Sequence, residues 1–148
     1  MNARDLIISH EGFRSKVYDD QTGLEVSPGI TLSGHPTIGY GRCLDLQGLS
    51  ASEAATLLDN DIDNLFLILH ENDWFTLLTT PRQYVIVDMA YNMGTKGLYG
   101  FKEMIAALAV SDYSLAADHM MTSRWAQQVP NRAKQDADIM RSGLYEST

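Results

Sequence analysis

The chain has 148 residues, enough to bury about two-thirds of its unfolded surface around one core and too few for a second sizeable domain. Eleven Lys and Arg against nineteen Asp and Glu give a formal net charge of −8, so no basic surface favours duplex nucleic acid or an anionic membrane. Hydrophobic content of 45% excludes a disordered chain, and the single cysteine, Cys43, excludes an internal disulfide.

Residues 3 to 11 read as a short amphipathic helix ending at Glu11, with Gly12 as its terminator. The apolar run Leu6-Ile7-Ile8 is too short for a signal peptide or a membrane span, so the chain is expected to stay soluble in the cytoplasm that makes it. From Phe13 to Leu46 the composition shifts to Gly, Pro, Thr and Tyr. The alternating pieces Leu24-Glu25-Val26 and Ile30-Thr31-Leu32 flank the turn signal Ser27-Pro28-Gly29 and predict small antiparallel hairpins. Thr37-Ile38-Gly39-Tyr40-Gly41-Arg42 predicts another extended piece, its glycines permitting close backbone approach.

After Gly48 the pattern turns helical. Ser50-Ala51-Ser52-Glu53 has the form of a capping box, and Leu57, Leu58, Ile62, Leu65, Phe66 and Leu69 describe one apolar stripe behind it. Thr80-Pro81-Arg82-Gln83 predicts a second boxed start, with Thr80 as N-cap and Pro81 in the first turn of a largely buried helix running to Gly94. Further helices fit residues 101–110, 113–121 and 131–142, the last closed by Gly143. The fold class is α+β and mostly helical: one domain over 1–148, a hairpin lobe over about 12–48 joined by the first helix, and a helical body over about 50–148.

Paired carboxylates, one protonated and one ionised, are a recurrent metal-free device for breaking polar bonds. Most acids here, Asp59, Asp61, Asp63, Asp136 and Asp138 among them, fall on the polar faces of helices and read as solvated. Glu11 sits instead at the junction of the first helix and the hairpins, and Asp20 follows nine positions later in the turn Asp19-Asp20-Gln21-Thr22-Gly23. Spacing alone leaves Asp19 and Asp20 open as plain turn formers. His10, His35, His70 and His119 are scattered along the chain without a His-x-x-x-His pair, so neither a metal nor another cofactor is expected. Cys43 reads as a small hydrophobe rather than a nucleophile.

His10-Glu11-Gly12-Phe13-Arg14, Lys16-Val17-Tyr18-Asp19-Asp20 and Thr37-Ile38-Gly39-Tyr40-Gly41 resemble the N-terminal lobe of the phage-type lysozymes, glycoside hydrolase family 24. In the same order, Asp88-Met89-Ala90-Tyr91-Asn92-Met93-Gly94, Gly100-Phe101, Ser123-Arg124-Trp125 and Val129-Pro130-Asn131-Arg132-Ala133-Lys134 are similar to its C-terminal landmarks. The family pattern is a glutamate, eight residues, an aspartate, five residues and a threonine. Glu11 and Asp20 keep the first interval, while sixteen residues separate Asp20 from Thr37, an excess assigned to an enlarged hairpin from Leu24 to His35.

The resemblance implies a lysozyme-like fold and hydrolysis of the β-1,4 bond between N-acetylmuramic acid and N-acetylglucosamine in peptidoglycan, during host cell lysis. It implies that Glu11 protonates the glycosidic oxygen, that Asp20 stabilises charge at the anomeric carbon and helps hold a water, and that Thr37 positions that water; Asp19 stands as a rival to Asp20. It also implies inversion of configuration, with the two carboxyls roughly 6.5–9.5 Å apart. Tyr91, Asn92 and Arg132 match positions that bind sugar or adjoin the glutamate. For Tyr91 a place in the core, and for Arg132 a packing role, are equally compatible with the residues themselves. Arg42 stands where the family often has histidine, and an ion pair there can survive with a different cation. Trp125 reads as a packing anchor, and Arg42, Arg124, Arg132 and Lys134 are expected to offset the acids locally. The implied enzyme is a monomer with no stable membrane association and no nucleic-acid partner. It waits in the host cytoplasm until a holin-type protein gives access to the wall. A lytic transglycosylase and a non-catalytic wall-binding module are the rival readings.

Overall fold

The structure is a computed structural model and describes residues 2–145. Its elements in chain order are α1 (Ala3–Glu11), β1 (Arg14–Asp19), β2 (Pro36–Gly39), β3 (Arg42–Cys43), α2 (Leu44–Gln47), α3 (Ala51–Leu69), α4 (Asp73–Thr76), α5 (Thr80–Tyr99), α6 (Lys102–Ala109), α7 (Tyr113–Met121), α8 (Arg124–Gln128) and α9 (Pro130–Ser142). This is an α+β chain, mostly helical, with one small antiparallel sheet. It divides into two compact units, Met1–Thr56 and Leu57–Thr148, the division falling within α3. Among the described residues no helix is long and apolar enough to cross a membrane.

In the first unit, α1 ends where Gly12 demands it, and it begins with a capping box that the sequence reading missed. Asn2 and Asp5 exchange backbone-to-side-chain hydrogen bonds of 3.2 and 2.9 Å. The sheet order is β1-β2-β3; Thr37 of β2 faces Tyr18 on one side and Cys43 on the other. A bulge lies in β1 between Arg14 and Tyr18.

The hairpins expected at Leu24–Val26 and Ile30–Leu32 do not form. Glu25 makes one isolated bridge to Tyr18, and 27–35 carries no strand. Leu24–Val26 bonds to the end of β1 instead, the Asp19 N–H donating to the Leu24 carbonyl at 2.9 Å and the Val26 N–H to the Val17 carbonyl at 2.8 Å. The flanking chain folds round Asp19, which is 2% exposed and whose carboxylate accepts backbone N–H groups from Gln21, Thr22, Ser33 and Gly34 at 2.9, 3.3, 2.6 and 3.1 Å. Leu24–Val26 is thus taken up by β1 and Ser33 and Gly34 by a carboxylate, and Pro28 has no N–H to give. The insertion is therefore an irregular loop wound around one buried acid. The piece 37–42 likewise splits at the turn Tyr40-Gly41 into β2 and β3.

The Ser50 box closes as expected: Ser50 N–H donates to Glu53 at 2.8 Å and Glu53 N–H to Ser50 Oγ at 3.2 Å. The stripe behind it is only half used. Leu69 is buried and Ile62, Leu65 and Phe66 pack against the core of the second unit, whereas Leu57 and Leu58 stay exposed.

The second unit is a helical body. α9 packs on α7, α5 and α8, and α6 on α7 and α4. The core takes Val85, Ile86, Met89 and Ala90 from α5, Met104 and Leu108 from α6, Met120 from α7 and Met140 from α9. Each large side chain removed from water contributes about 1.5–3 kcal/mol. The expected burial of α5 thus holds, but its start is corrected. Thr79, not Thr80, is the N-cap, and Gln83 donates to the Phe75 carbonyl at 3.2 Å instead of closing a box. Gly94 breaks the helix with φ 80°, ψ 158°, a conformation that glycine adopts without a Cβ penalty. α2, α4 and α8, of four or five residues each, are too short to show a period and were not foreseen. Asp136, expected on a solvated face, is only 7% exposed.

Candidate active site

The sequence-predicted acids both lie in the first unit, and a glycine stands behind each. Glu11 is the last residue of α1, exposed at the point where Gly12 turns the chain into β1. A Cβ added at Gly41 would stand 2.5 Å from Glu11 Oε2 and 2.9 Å from its Cδ, so the carboxyl lies directly over the bare backbone of the turn between β2 and β3. Gly41 also has φ +74°, which suits glycine for a second reason. A Cβ at Gly34 would collide with Asp20 Oδ1 and come within 2.8 Å of Gln21 Cβ. Two glycines, Gly41 of the Thr-Ile-Gly-Tyr-Gly motif and Gly34 of the inserted loop, therefore make room for the two acids.

Asp20 and His35 are tied backbone to backbone and backbone to side chain. Asp20 N–H donates to the His35 carbonyl at 3.1 Å, and His35 N–H donates to Asp20 Oδ1 at 2.6 Å. Asp20 stays exposed, with Oδ2 outside this bond. Asp19 is enclosed, and its four backbone donors, that of Ser33 foremost, hold its carboxyl below the ordinary carboxylate range against the opposing effect of burial. Asp19 is thus an enclosed anion held by backbone donors, whereas Asp20 is exposed.

Thr37, on the central strand, is 4% exposed; its hydroxyl donates to the His35 carbonyl at 3.1 Å. That bond uses the hydroxyl proton and leaves acceptor capacity on Oγ1. Phe13 and Tyr40 pack ring to ring at 5.5 Å and remain largely exposed, an aromatic pair beside the Glu11 junction and the Gly41 turn.

Arg42 keeps a structural ion pair. Its Nη1 and Nη2 lie 2.7 and 3.0 Å from the two Glu53 oxygens, while Nε and Nη2 donate to the Gly48 carbonyl at 3.0 and 2.8 Å. Ser50 and Arg42 together hold the Glu53 carboxyl below its ordinary value. Cys43 Sγ donates to Asp45 Oδ1 at 3.0 Å, and this bond to a carboxylate raises the thiol pKa, opposing the thiolate that a nucleophile requires.

In the second unit Tyr91 is half exposed and borders a hollow of about 310 Å³ with Asp61, Asn64, Leu65 and Ala90, so the core reading for it fails. Asn92 Oδ1 accepts the Trp125 indole N–H at 2.8 Å; Trp125 is 6% exposed and packs edge-on against Phe101, the anchor expected of it. Arg132 Nε lies 3.4 Å from Asp88 Oδ2. Lys134 pairs with Asp138 at 2.7 Å, so Arg42, Arg132 and Lys134 offset the acids in discrete pairs rather than as a free positive field.

Sequence reasoning missed the acid pair beneath Arg132. Asp88 and Asp136 line a cavity of about 320 Å³ with Pro81, Tyr84, Arg132 and Tyr145. Burial, then the adjacent Asp88 charge and its hydrogen bond, push Asp136 up to about 8, with Arg132 opposing. Asp136 Oδ2 is enclosed and finds no donor among the described residues. Two carboxyls that share a hydrogen bond must hold a proton between them. The spacing of Ala133, Ala137 and Met140 puts Asp136 on the apolar face of α9, a signal that could have marked its burial, whereas its meeting with Asp88, on a different helix, has no local signal.

The acids at a helix end and a loop, the Gly-rich strand turn and the helical second unit fit one class of protein: the family model for phage lysozyme matches residues 8–137, and the chain belongs to that family. Among curated relatives, the chain is 24% identical over 177 residues to the "Pre-baseplate central spike protein Gp5" of Enterobacteria phage T4, covering 99% of this chain and 29% of the spike protein. It is 21% identical over 163 residues to "Probable T4-type lysozyme 1" of Dictyostelium discoideum, covering 97% of this chain and 96% of that protein.

Proposed function

We propose that the chain is a muramidase, hydrolysing the β-1,4 bond between N-acetylmuramic acid and N-acetylglucosamine in bacterial peptidoglycan. The observation that carries this reading is the seating of Glu11 over Gly41 and of Asp20 against Gly34 and His35, with Asp19 removed from contention by its burial. Glu11, free at a helix end, protonates the glycosidic oxygen as the bond breaks. Asp20, fixed by the His35 N–H, offers its other oxygen to the positive charge developing at the anomeric carbon and to a water. Thr37 Oγ1, its proton already committed, accepts a hydrogen bond from that water and orients it. The outcome is inversion, with water entering opposite the departing sugar. Tyr91, with an exposed aromatic face, and Asn92 and Arg132 contribute to sugar binding. The setting is host cell lysis, with a monomeric enzyme held in the host cytoplasm until a holin-type protein opens the way to the wall.

Mass analysis of murein digested by the chain tests the reaction. Reducing muramic ends support a hydrolase; anhydro ends move the chain to the transglycosylases, and undigested murein to the inert wall binders. Glu11→Gln, an isosteric change at an exposed side chain, should keep the fold and abolish lysis of outer-membrane-permeabilised cells; lysis at the wild-type rate would overturn the assignment of the acid.

A further inference from the structure

The antiparallel register pairs Thr37 with Cys43 and Ile38 with Arg42. Just beyond it, His35 precedes β2 and Asp45 lies in the first turn of α2, and their side chains meet: His35 Nδ1 lies 2.9 Å from Asp45 Oδ2, and Cys43 Sγ lies 3.0 Å from Asp45 Oδ1. The nitrogen, sulfur and oxygen donor atoms all fall within 4.8 Å of one another. We propose that His35, Cys43 and Asp45 form a binding site for one thiophilic divalent cation of the zinc class.

The donor set selects the ion. Thiolate and imidazole favour zinc-like metals over calcium or magnesium, which take oxygen ligands. Zinc bond lengths of about 2.0–2.3 Å in a tetrahedron place ligand atoms about 3.3–3.7 Å apart. The two hydrogen-bonded contacts, each to a different oxygen of Asp45, open by about half an ångström to reach that spacing, while Nδ1 and Sγ, within 4.8 Å of one another, draw together and a turn of the half-exposed Asp45 carboxylate brings one oxygen to both. Hydrogen now fills the place of the cation. On binding, Sγ–H loses its proton to solvent and the thiolate lone pair bonds the metal. Neutral imidazole binds through Nδ1 with its remaining proton on Nε2. Asp45 supplies one oxygen, and water takes the fourth position because His35 and Asp45 are each nearly half exposed. A doubly charged cation with one thiolate and one carboxylate leaves the site neutral, so no bare charge is created.

The site adjoins the region that holds Asp20 and Thr37. The His35 backbone donates to Asp20 Oδ1 and accepts from Thr37 Oγ1, so a cation on its ring fastens the residue that orients both. Sequence spacing hides the cluster, because His35 reaches Cys43 and Asp45 only through the β2–β3 turn.

The test is a spectroscopic titration of the full chain, after treatment with EDTA, with cobalt(II) chloride followed by zinc chloride. The expected result is a thiolate-to-cobalt charge-transfer band and intense visible bands of tetrahedral cobalt, saturating at one equivalent and erased by zinc. Cys43→Ser should lose the charge-transfer band. His35→Gln and Asp45→Asn should weaken cobalt binding by about tenfold or more. His70→Gln, outside the donor cluster, should bind as wild type does, and near-ultraviolet circular dichroism of each variant establishes that it is folded. Absence of the band at one equivalent, or a band unchanged in both His35→Gln and Asp45→Asn, would overturn the site. The readout needs no lytic activity, so failure of the cation site and failure of the muramidase reading are separate results.

Discussion

Replacing Asp136 by asparagine should make the chain more stable at neutral pH, although it alters a buried side chain. Asp136 ionises only near pH 8 in the folded chain, against an ordinary value of 3.8. From about pH 4 to about pH 8 the folded chain therefore holds a proton that the unfolded chain has released, and stability falls as pH rises through that window. At pH 7 the window crossed is about three pH units, and at about 1.4 kcal/mol per unit this bounds the penalty at about 4 kcal/mol. Asparagine donates to Asp88 through its amide without borrowing a proton, but its own enclosed oxygen still lacks a donor. A net gain of about 1–3 kcal/mol is expected, or a Tm rise of roughly 5 °C for a chain of this size. Urea unfolding of wild type and Asp136→Asn from pH 4 to 8 measures it. The two stabilities should diverge as pH rises and converge near pH 4, where both side chains are neutral. Parallel curves, or a wild type that is the more stable at pH 7.5, would refute the shared-proton account of Asp88 and Asp136.

Other perturbations bear on the first unit. Gly41→Ala forces a side chain to φ +74°, at a cost of about 1–2 kcal/mol, and drives the Glu11 carboxyl aside; lysis measured well below Tm should fall steeply while the fold survives, and unimpaired lysis would separate Glu11 from that turn. Asp19 has a depressed pKa, so its contribution to stability is present above the ordinary carboxylate value and is lost as pH drops through the folded value. Thermal unfolding should therefore show an acid limb below about pH 4, and Asp19→Asn should shrink that limb while loosening the loop from Gln21 to His35, seen as faster amide exchange at Ser33 and Gly34. With Asp136 acting in the opposite sense at higher pH, maximal stability should lie on the acid side of neutrality, near pH 4–5; a maximum at pH 7 or above would contradict this balance.

What the sequence determined by itself is whatever is written within a few positions along the chain. The Ser50–Glu53 box, the stop at Gly12, the apolar period around Val85 to Ala90 and the order of motifs from Glu11 to Lys134 are of this kind, because helix caps and periods depend on neighbours three and four residues away. They were enough for the α+β class, the family and the choice of Glu11. Tertiary structure set Asp19 and Asp20 apart, one enclosed and one exposed, because only the return of the loop brings Ser33 and Gly34 onto the Asp19 carboxylate. It also replaced an expected hairpin with a loop around that carboxylate, and placed His35, ahead of β2, against Asp45 in the first turn of α2. Asp136 gives the sharpest contrast. Along α9 it shares a face with buried Ala133, Ala137 and Met140, so the helical period can mark it as enclosed, but Asp88 reaches it from α5. Solvation and charge are set by what surrounds a group in space, so the protonation of a buried acid is fixed by packing between helices that no local pattern records.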